Sequence, residues 1–228
     1  MKTTVFDIQK IDDEILNYLR SLLHDYDPKN RTKLKTTEKI MTSDDIYYVD
    51  DSLNFVRKVE INDNELLLGR DYEIMWRDEN IGSIKIFSDF NPDDILNIEF
   101  GVKQRTIHGK AGSFVYPDRP KVNIGLDSMP RVGFTTTFSR DFVGTAGGNM
   151  AVDNNGLLQI RVVDETTSKI NKLVSIIDEF LIKNYKSFYY VRYIDPTNMN
   201  AYDNFNDNTD KPFSKIIEYD IPNKYQVI

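Results

Sequence analysis

Two histidines, His24 and His108, are all the imidazole that this chain possesses. Nucleophilic or acid–base catalysis by either one needs a carboxylate to hold the ring and a nucleophile beside it. His24 closes an apolar-periodic segment next to Asp25, where an interaction with a helix end is the plain use for it. His108-Gly109-Lys110 falls between strand-like runs, with no activated nucleophile nearby. Carboxylates are abundant, and the adjacent Asp pairs at 12–13, 44–45, 50–51 and 93–94 invite a glycosidase or metal-nuclease reading. Adjacent residues on a strand point to opposite faces, however, and in a turn they are hydrated. The densest run of oxygen ligands, Tyr202-Asp203-Asn204-Phe205-Asn206-Asp207-Asn208, lacks the glycine and terminal Glu of a calcium loop. Gly144-Thr145-Ala146-Gly147-Gly148 lacks the Lys-Ser/Thr that a phosphate-binding loop requires. There is no cysteine, which removes disulfides, thiolate metal ligands and thiol nucleophiles. The expectation is a protein with no catalytic residue, no cofactor and no metal, working by binding other protein chains. A carboxylate-based hydrolase is the enzymatic alternative.

Charge narrows the partners. The formal net charge is −7 and the pI is near 5.0, so the surface repels phosphate backbones and no direct nucleic-acid recognition is expected. The nearest basic run, Lys29-Asn30-Arg31 with Lys33 and Lys35, has no interleaved aromatic to stack on bases and reads as a solvated loop. The first seven residues lack the apolar core of a signal peptide, and no stretch approaches the roughly 20 apolar residues that span a bilayer. The expectation is a protein made in the cytoplasm, with no membrane partner.

The elements that position side chains follow from periodicity. Ile8, Ile11, Ile15, Leu19, Leu22 and Leu23 recur at helical spacing, with Asp12, Glu14 and Arg20 off the stripe, Asp7 as cap and Pro28 as terminator. Residues 27–52 are polar and read as a connector. From 53 to 102 the pattern alternates: Val56, Val59 and Ile61, a turn at Asn62-Asp63-Asn64, then a strand with a glycine bend through Gly69 to Ile74. Runs at Ile84–Phe87 and Ile95–Phe100 follow, which together indicate an antiparallel meander or small sandwich. Proline-punctuated strands occupy 114–138, residues 139–156 form a mobile loop or hairpin tip, and 157–163 is a short apolar strand. A helix capped within 164–167 carries Ile170, Leu173, Val174, Ile177, Phe180 and Leu181. Phe188 to Val191 continues as a strand, 195–211 is too polar to bury and reads as loop, and Phe213 to Ile221 returns a final strand. The fold class is α+β: a central mixed or antiparallel sheet flanked by two amphipathic helices, with a β-rich inserted module. The expected domains are 1–52 with 103–228 for the helix-flanked sheet, and 53–102 for the insertion.

Two groups of residues resemble tailed-bacteriophage virion proteins. Val56-x-x-Val59-x-Ile61-Asn62-Asp63-Asn64-x-Leu66, leading to Gly69-Arg70-Asp71-Tyr72-Glu73-Ile74 and Gly82-Ser83-Ile84-Lys85-Ile86-Phe87, looks like the small β-modules of phage structural and adhesion proteins. The frame around it (amino-terminal helix, strands at 114–138, glycine-tipped hairpin, strand 157–163 followed by a helix) resembles the tail terminator, or tail completion, family. That resemblance implies a structural, non-enzymatic virion protein assembled in the host cytoplasm. It implies partners too: copies of itself in a ring, hexameric in most of the family, with tail-tube and neck or connector proteins above and below. A head-completion or connector protein and a baseplate or adhesin carbohydrate-binding module are the alternatives. The side chains expected at the interface are Arg131, Phe134, Phe138, Arg140 and Phe142, which mix aromatic and basic groups suited to an acidic or apolar partner. The competing reading puts the Phe rings in the core.

Overall fold

A computed structural model describes residues 7–76, 81–104, 114–117, 129–144, 150–191, 194–203 and 213–227. The fold is α+β, with two α-helices and three sheets among the described residues. The chain divides into two compact units: Asp13–Val115, and Met1–Asp12 with Tyr116–Ile228. The β-rich unit is therefore larger than the 53–102 stretch marked by alternation.

The unit of Asp13–Val115 holds most of α1 (Ile8–His24) and seven strands: β1 (Thr32–Ile40), β2 (Ile46–Tyr48), β3 (Leu53–Ile61), β4 (Asn64–Glu65), β5 (Tyr72–Met75), β6 (Ser83–Ile86) and β7 (Ile95–Lys103). They form a four-stranded sheet in the order β1-β7-β3-β4 and a three-stranded sheet in the order β2-β6-β5. Val56, Val59, Ile98 and Phe100 of the first sheet share one core with Tyr47, Tyr72, Ile74 and Ile84 of the second, which makes this unit a sandwich. Helix α1 covers the other face of the larger sheet. Asp7 starts it as expected, accepting from the N–H of Gln9 at 3.0 Å, and Ile11, Ile15, Leu19 and Leu23 are buried.

Turn chemistry sets the strand order. Asn62 and Asp63 both have positive φ, 48° and 64°, and Ile61 pairs with Asn64, so β3 and β4 are joined by the two-residue turn that matches strand twist. Gly69 has φ 81°, and Asp71 closes the next turn by accepting from the N–H of Leu67 at 2.9 Å while its own N–H donates to the Leu67 carbonyl at 2.8 Å. The single bent strand expected through Gly69 is thus two short strands separated by a closed turn. The 27–52 connector is also corrected, because β1 and β2 lie within it. As an edge strand paired only with β7, β1 needs little apolar content, and its Lys33, Lys35 and Lys39 are the charges that blunt a sheet edge.

The second unit is built on a five-stranded sheet. Its strands are β8 (Val115–Tyr116), β9 (Arg131–Gly144), β10 (Met150–Asp164), β11 (Asp195–Asp203) and β12 (Phe213–Val227), in the order β11-β12-β10-β9-β8. Helix α2 (Thr167–Asn184) is capped by Thr166, whose side chain accepts from the N–H of Lys169, and buries Ile170, Leu173, Val174, Ile177 and Leu181 as its spacing predicts. Alternation along the strands buries Val132, Phe134, Leu158, Ile160, Val162, Ile217 and Tyr219.

Three expectations fail here. Residues 139–144 and 150–156 are paired strand, not loop, because β9 and β10 form one long hairpin in unbroken register from Arg131↔Val163 to Met150↔Gly144. Residues 195–203 of the expected 195–211 loop form β11, which among the described residues is an edge strand paired with β12 and so tolerates Asn, Asp and Pro196. Phe188 to Val191 is not a strand: a 3-10 turn at Tyr185–Ser187 precedes it, and the buried Phe188 ring packs edge-on to Phe180 at 6.4 Å between centroids.

Candidate functional site

The five expected interface residues all lie on β9, in a sequence of β-branched and aromatic residues that suits a strand. The structure does not gather them into one surface. Phe134 is 2% exposed and belongs to the core, so the competing reading holds for it. Phe138 is half-buried and lies directly across from Gly156, with its ring over the position a Cβ would occupy. The same device recurs in the sandwich unit, where the Phe55 ring covers Gly101 of β7. Arg131 is half-buried with its guanidinium over the Tyr116 ring at 5.2 Å. Alternation sets it on the face opposite Phe134 and Phe138. The backbones of Arg140 and Phe142 pair with Asn154 and Val152. Gly156→Ala is expected to lower stability by about 1–3 kcal/mol, because the added methyl meets the Phe138 ring and Ile221. Chemical denaturation measures this, and a neutral effect would show that Phe138 is free to move aside.

Among the described residues, one carboxylate of each adjacent Asp pair is engaged in the fold. Asp12 accepts from the Thr136 hydroxyl. Asp50 pairs with Lys35 at 2.9 Å and accepts from the N–H of Ser52, and Asp45 pairs with Lys85 at 3.4 Å. Asp94 accepts from the N–H of Asn91 at 2.7 Å and from the Asn62 amide at 2.8 Å. These are the uses that Asp finds in turns. The basic run is likewise part of the fold: Arg31 is buried, 3.8 Å from Asp27, with its guanidinium over Phe114. Among the described residues no group of three or more His, Cys, Asp or Glu is arranged to hold a metal ion, and no helix is long and apolar enough to cross a membrane. His108 and residues 204–208 of the acidic run lie outside the described residues.

His24 has a structural role. Its Nδ1 is 2.6 Å from the Thr32 hydroxyl, and its ring sits 5.4 Å from that of Phe55. Burial, with the Arg57 charge second, lowers its pKa below the ordinary 6.5 despite Asp25 and Asp27. The unfolded chain therefore binds a proton first as pH falls, and stability declines below about pH 6.5 until the folded pKa is reached. The melting temperature is expected to drop between about pH 7 and about pH 5, and to drop less in His24→Gln. Equal slopes in the two proteins would remove His24 as the cause.

A polar stripe on α1 escaped the sequence reading. Glu14 and Asn17 are both 2% exposed, and the Asn17 amide hydrogen-bonds both backbone groups of Val56: its Nδ2 donates to the carbonyl at 2.9 Å and its Oδ1 accepts from the N–H at 2.7 Å. Val56 lies at an irregularity in the β3–β7 register, so the amide stands in for ladder bonds there. Arg20 donates to the Asn54 carbonyl at 3.1 Å and lies 5.8 Å from the Trp76 ring. Glu14, Asn17, Arg20 and His24 repeat at three- and four-residue spacing, and that periodicity was the available signal.

The most unequal pairing in the second sheet is at the outer edge of β9. Strand β9 has fourteen residues and β8 has two, and among the described residues β8 is the only strand on that side. Comparisons with protein-family models, curated proteins and solved structures return no match for this chain.

Proposed function

We propose that this chain is a structural virion protein: a subunit of a ring at the tail terminator or neck of a tailed bacteriophage, assembled in the host cytoplasm and joining tail to head. The observation that carries the reading is the outer edge of β9, where the described residues set only the two-residue β8 beside a fourteen-residue strand, an arrangement suited to strand addition by a neighbouring chain. The occupation of Asp12, Asp45, Asp50, Asp94, His24 and Arg31 by structural contacts adds support. A ring closes by heterologous contacts, in which one face of a subunit meets a different face of the next. The acidic surface opposes self-association of the free chain. The purified protein is therefore expected to be monomeric or weakly associated, and to form rings with its tail partner. Light-scattering mass and negative-stain images test this, and a tight two-fold dimer across a wide concentration range would argue against a ring subunit.

A further inference from the structure

We infer that one end of the sandwich unit docks a partner protein that presents lysine or arginine among apolar side chains. This contact is with a different chain and is independent of any ring built through β9.

Backbone pairing gathers three segments at that end. Ile40 closes β1, Ile95 opens β7 and Ile61 closes β3, and the registers Ile40↔Ile95 and Ile61↔Leu96 set these strand ends level. Residues 41–45, 62–71 and 87–94 connect them to one another and to the smaller sheet, and all three segments lie within the described residues. Hydrogen bonds tie the segments together. The N–H of Met41 donates to the Asp94 carbonyl at 2.8 Å, and that of Asn62 to the Ile95 carbonyl at 2.9 Å. On the side of the smaller sheet, the N–H of Ile86 donates to the Asp45 carbonyl at 2.8 Å and that of Phe87 to the Asp71 carbonyl at 2.7 Å.

The charge of the chain is concentrated here. The three segments hold eight Asp and Glu residues against Arg70, a net of −7. The whole chain has the same net charge, so everything outside them sums to zero. Glu38, Lys39 and Lys85 at the adjoining strand ends change the value only to −6. Asp71 pairs with Arg70 at 2.6 Å and Asp45 with Lys85 at 3.4 Å, while Asp63, Asp89 and Asp93 stay exposed. A field of this sign attracts a basic partner and repels nucleic-acid phosphate and the same end of a second copy.

Charge alone would describe a hydrated end, but apolar side chains are exposed within it. Ile40 is 67% exposed and lies directly across from the exposed Ile95, so two branched side chains stand together. Leu96 and Ile98 of β7 enter the core, and alternation turns Ile95 and its partner to the opposite face. Leu67 and Phe87 form a second exposed pair, both fastened to Asp71. The N–H of Leu67 donates to the Asp71 carboxylate at 2.9 Å and the N–H of Phe87 to its carbonyl. Single exposed apolar residues are ordinary on any surface. Two such pairs amid one block of carboxylates make an interface, with apolar contact for affinity and charge for the choice of partner.

Three synthetic peptides of equal length probe the full-length protein: alternating Lys and Leu, alternating Lys and Ser, and alternating Glu and Leu. Titration calorimetry at low salt is expected to show binding of the Lys-Leu peptide, binding at least about tenfold weaker of the Lys-Ser peptide, and none of the Glu-Leu peptide. Asp63→Asn with Asp89→Asn and Asp93→Asn should weaken the Lys-Leu peptide at least about tenfold, as should Ile40→Ser with Phe87→Ser. All five side chains are exposed, so the variants should melt like the parent. Glu165→Gln with Glu179→Gln, on exposed positions of the second helix, should leave binding unchanged. Equal binding of the Lys-Leu and Lys-Ser peptides, or binding indifferent to both end variants, would overturn the docking surface. Amide NMR shifts of the parent check this without any variant: the Lys-Leu peptide should move residues of the three segments, and shifts confined elsewhere would overturn it too. Calcium alone saturating those same shifts would make the end a cation site instead. Self-association abolished by Ile40→Ser with Phe87→Ser would make it a face for a second copy. Mass and imaging of the chain with its tail partner read the ring separately, so either reading can fail while the other stands.

Discussion

Asn17→Leu is expected to lower the stability of the sandwich unit by about 2–6 kcal/mol, the cost of leaving two buried backbone groups unsatisfied. The groups are the N–H and carbonyl of Val56, a residue 1% exposed and bonded to the Asn17 amide at 2.7 and 2.9 Å. Leucine nearly matches asparagine in size and has a better helix propensity, so packing and local preference do not account for a loss of that magnitude. Trp76 is the single tryptophan and lies in the same unit, so its fluorescence during urea unfolding reports the relevant transition. Asn17→Asp should do no better at neutral pH, because it keeps the acceptor but loses the donor and buries a charge. A loss below about 1 kcal/mol for the leucine variant would mean that water reaches Val56 and satisfies it.

Arg140→Glu should weaken ring assembly at least about tenfold while leaving the melting temperature unchanged. A like-charge contact at an interface costs several kcal/mol, and each 1.4 kcal/mol is tenfold in affinity. Arg131→Glu provides the contrast. Its guanidinium stacks over Tyr116 within the subunit, so reversing it is expected to lower the melting temperature and thereby confound any assembly defect. Assembly yield with the tail partner, measured beside thermal melts of both variants, separates the cases. Normal assembly of Arg140→Glu would remove β9 from the interface.

The two helices, the β-sandwich stretch and the final strand were legible because burial imposes a period on them. Ile170, Leu173, Val174, Ile177 and Leu181 repeat at helical spacing and are buried. Val59, Ile61, Leu96, Ile98 and Phe100 alternate and meet in one core. The Asn62-Asp63 turn was equally local, since positive φ at both positions favours those side chains.

Edge strands were not legible. Strands β1 and β11 are polar because a strand paired on one side needs no continuous apolar face, so composition marked both as loops. The extent of the β9–β10 hairpin was hidden for a similar reason: residues 139–144 and 150–156 hold glycine and polar residues, and their strand structure comes from the pairing of β9 with β10 and of β10 with β12.

By itself, the sequence determined the class of fold, the positions of the apolar helix faces, the tight turns, and the absence of cysteine chemistry. Each depends on a residue and its near neighbours along the chain. Only the tertiary structure decided that Phe134 is core, that Arg131 and Phe138 serve packing within the subunit, and that Asn17 completes the hydrogen bonding of β3. Only it revealed that a fourteen-residue strand lies beside a two-residue one. Those outcomes depend on which strand lies beside which, and long-range pairing is set by the whole sheet, not by local preference.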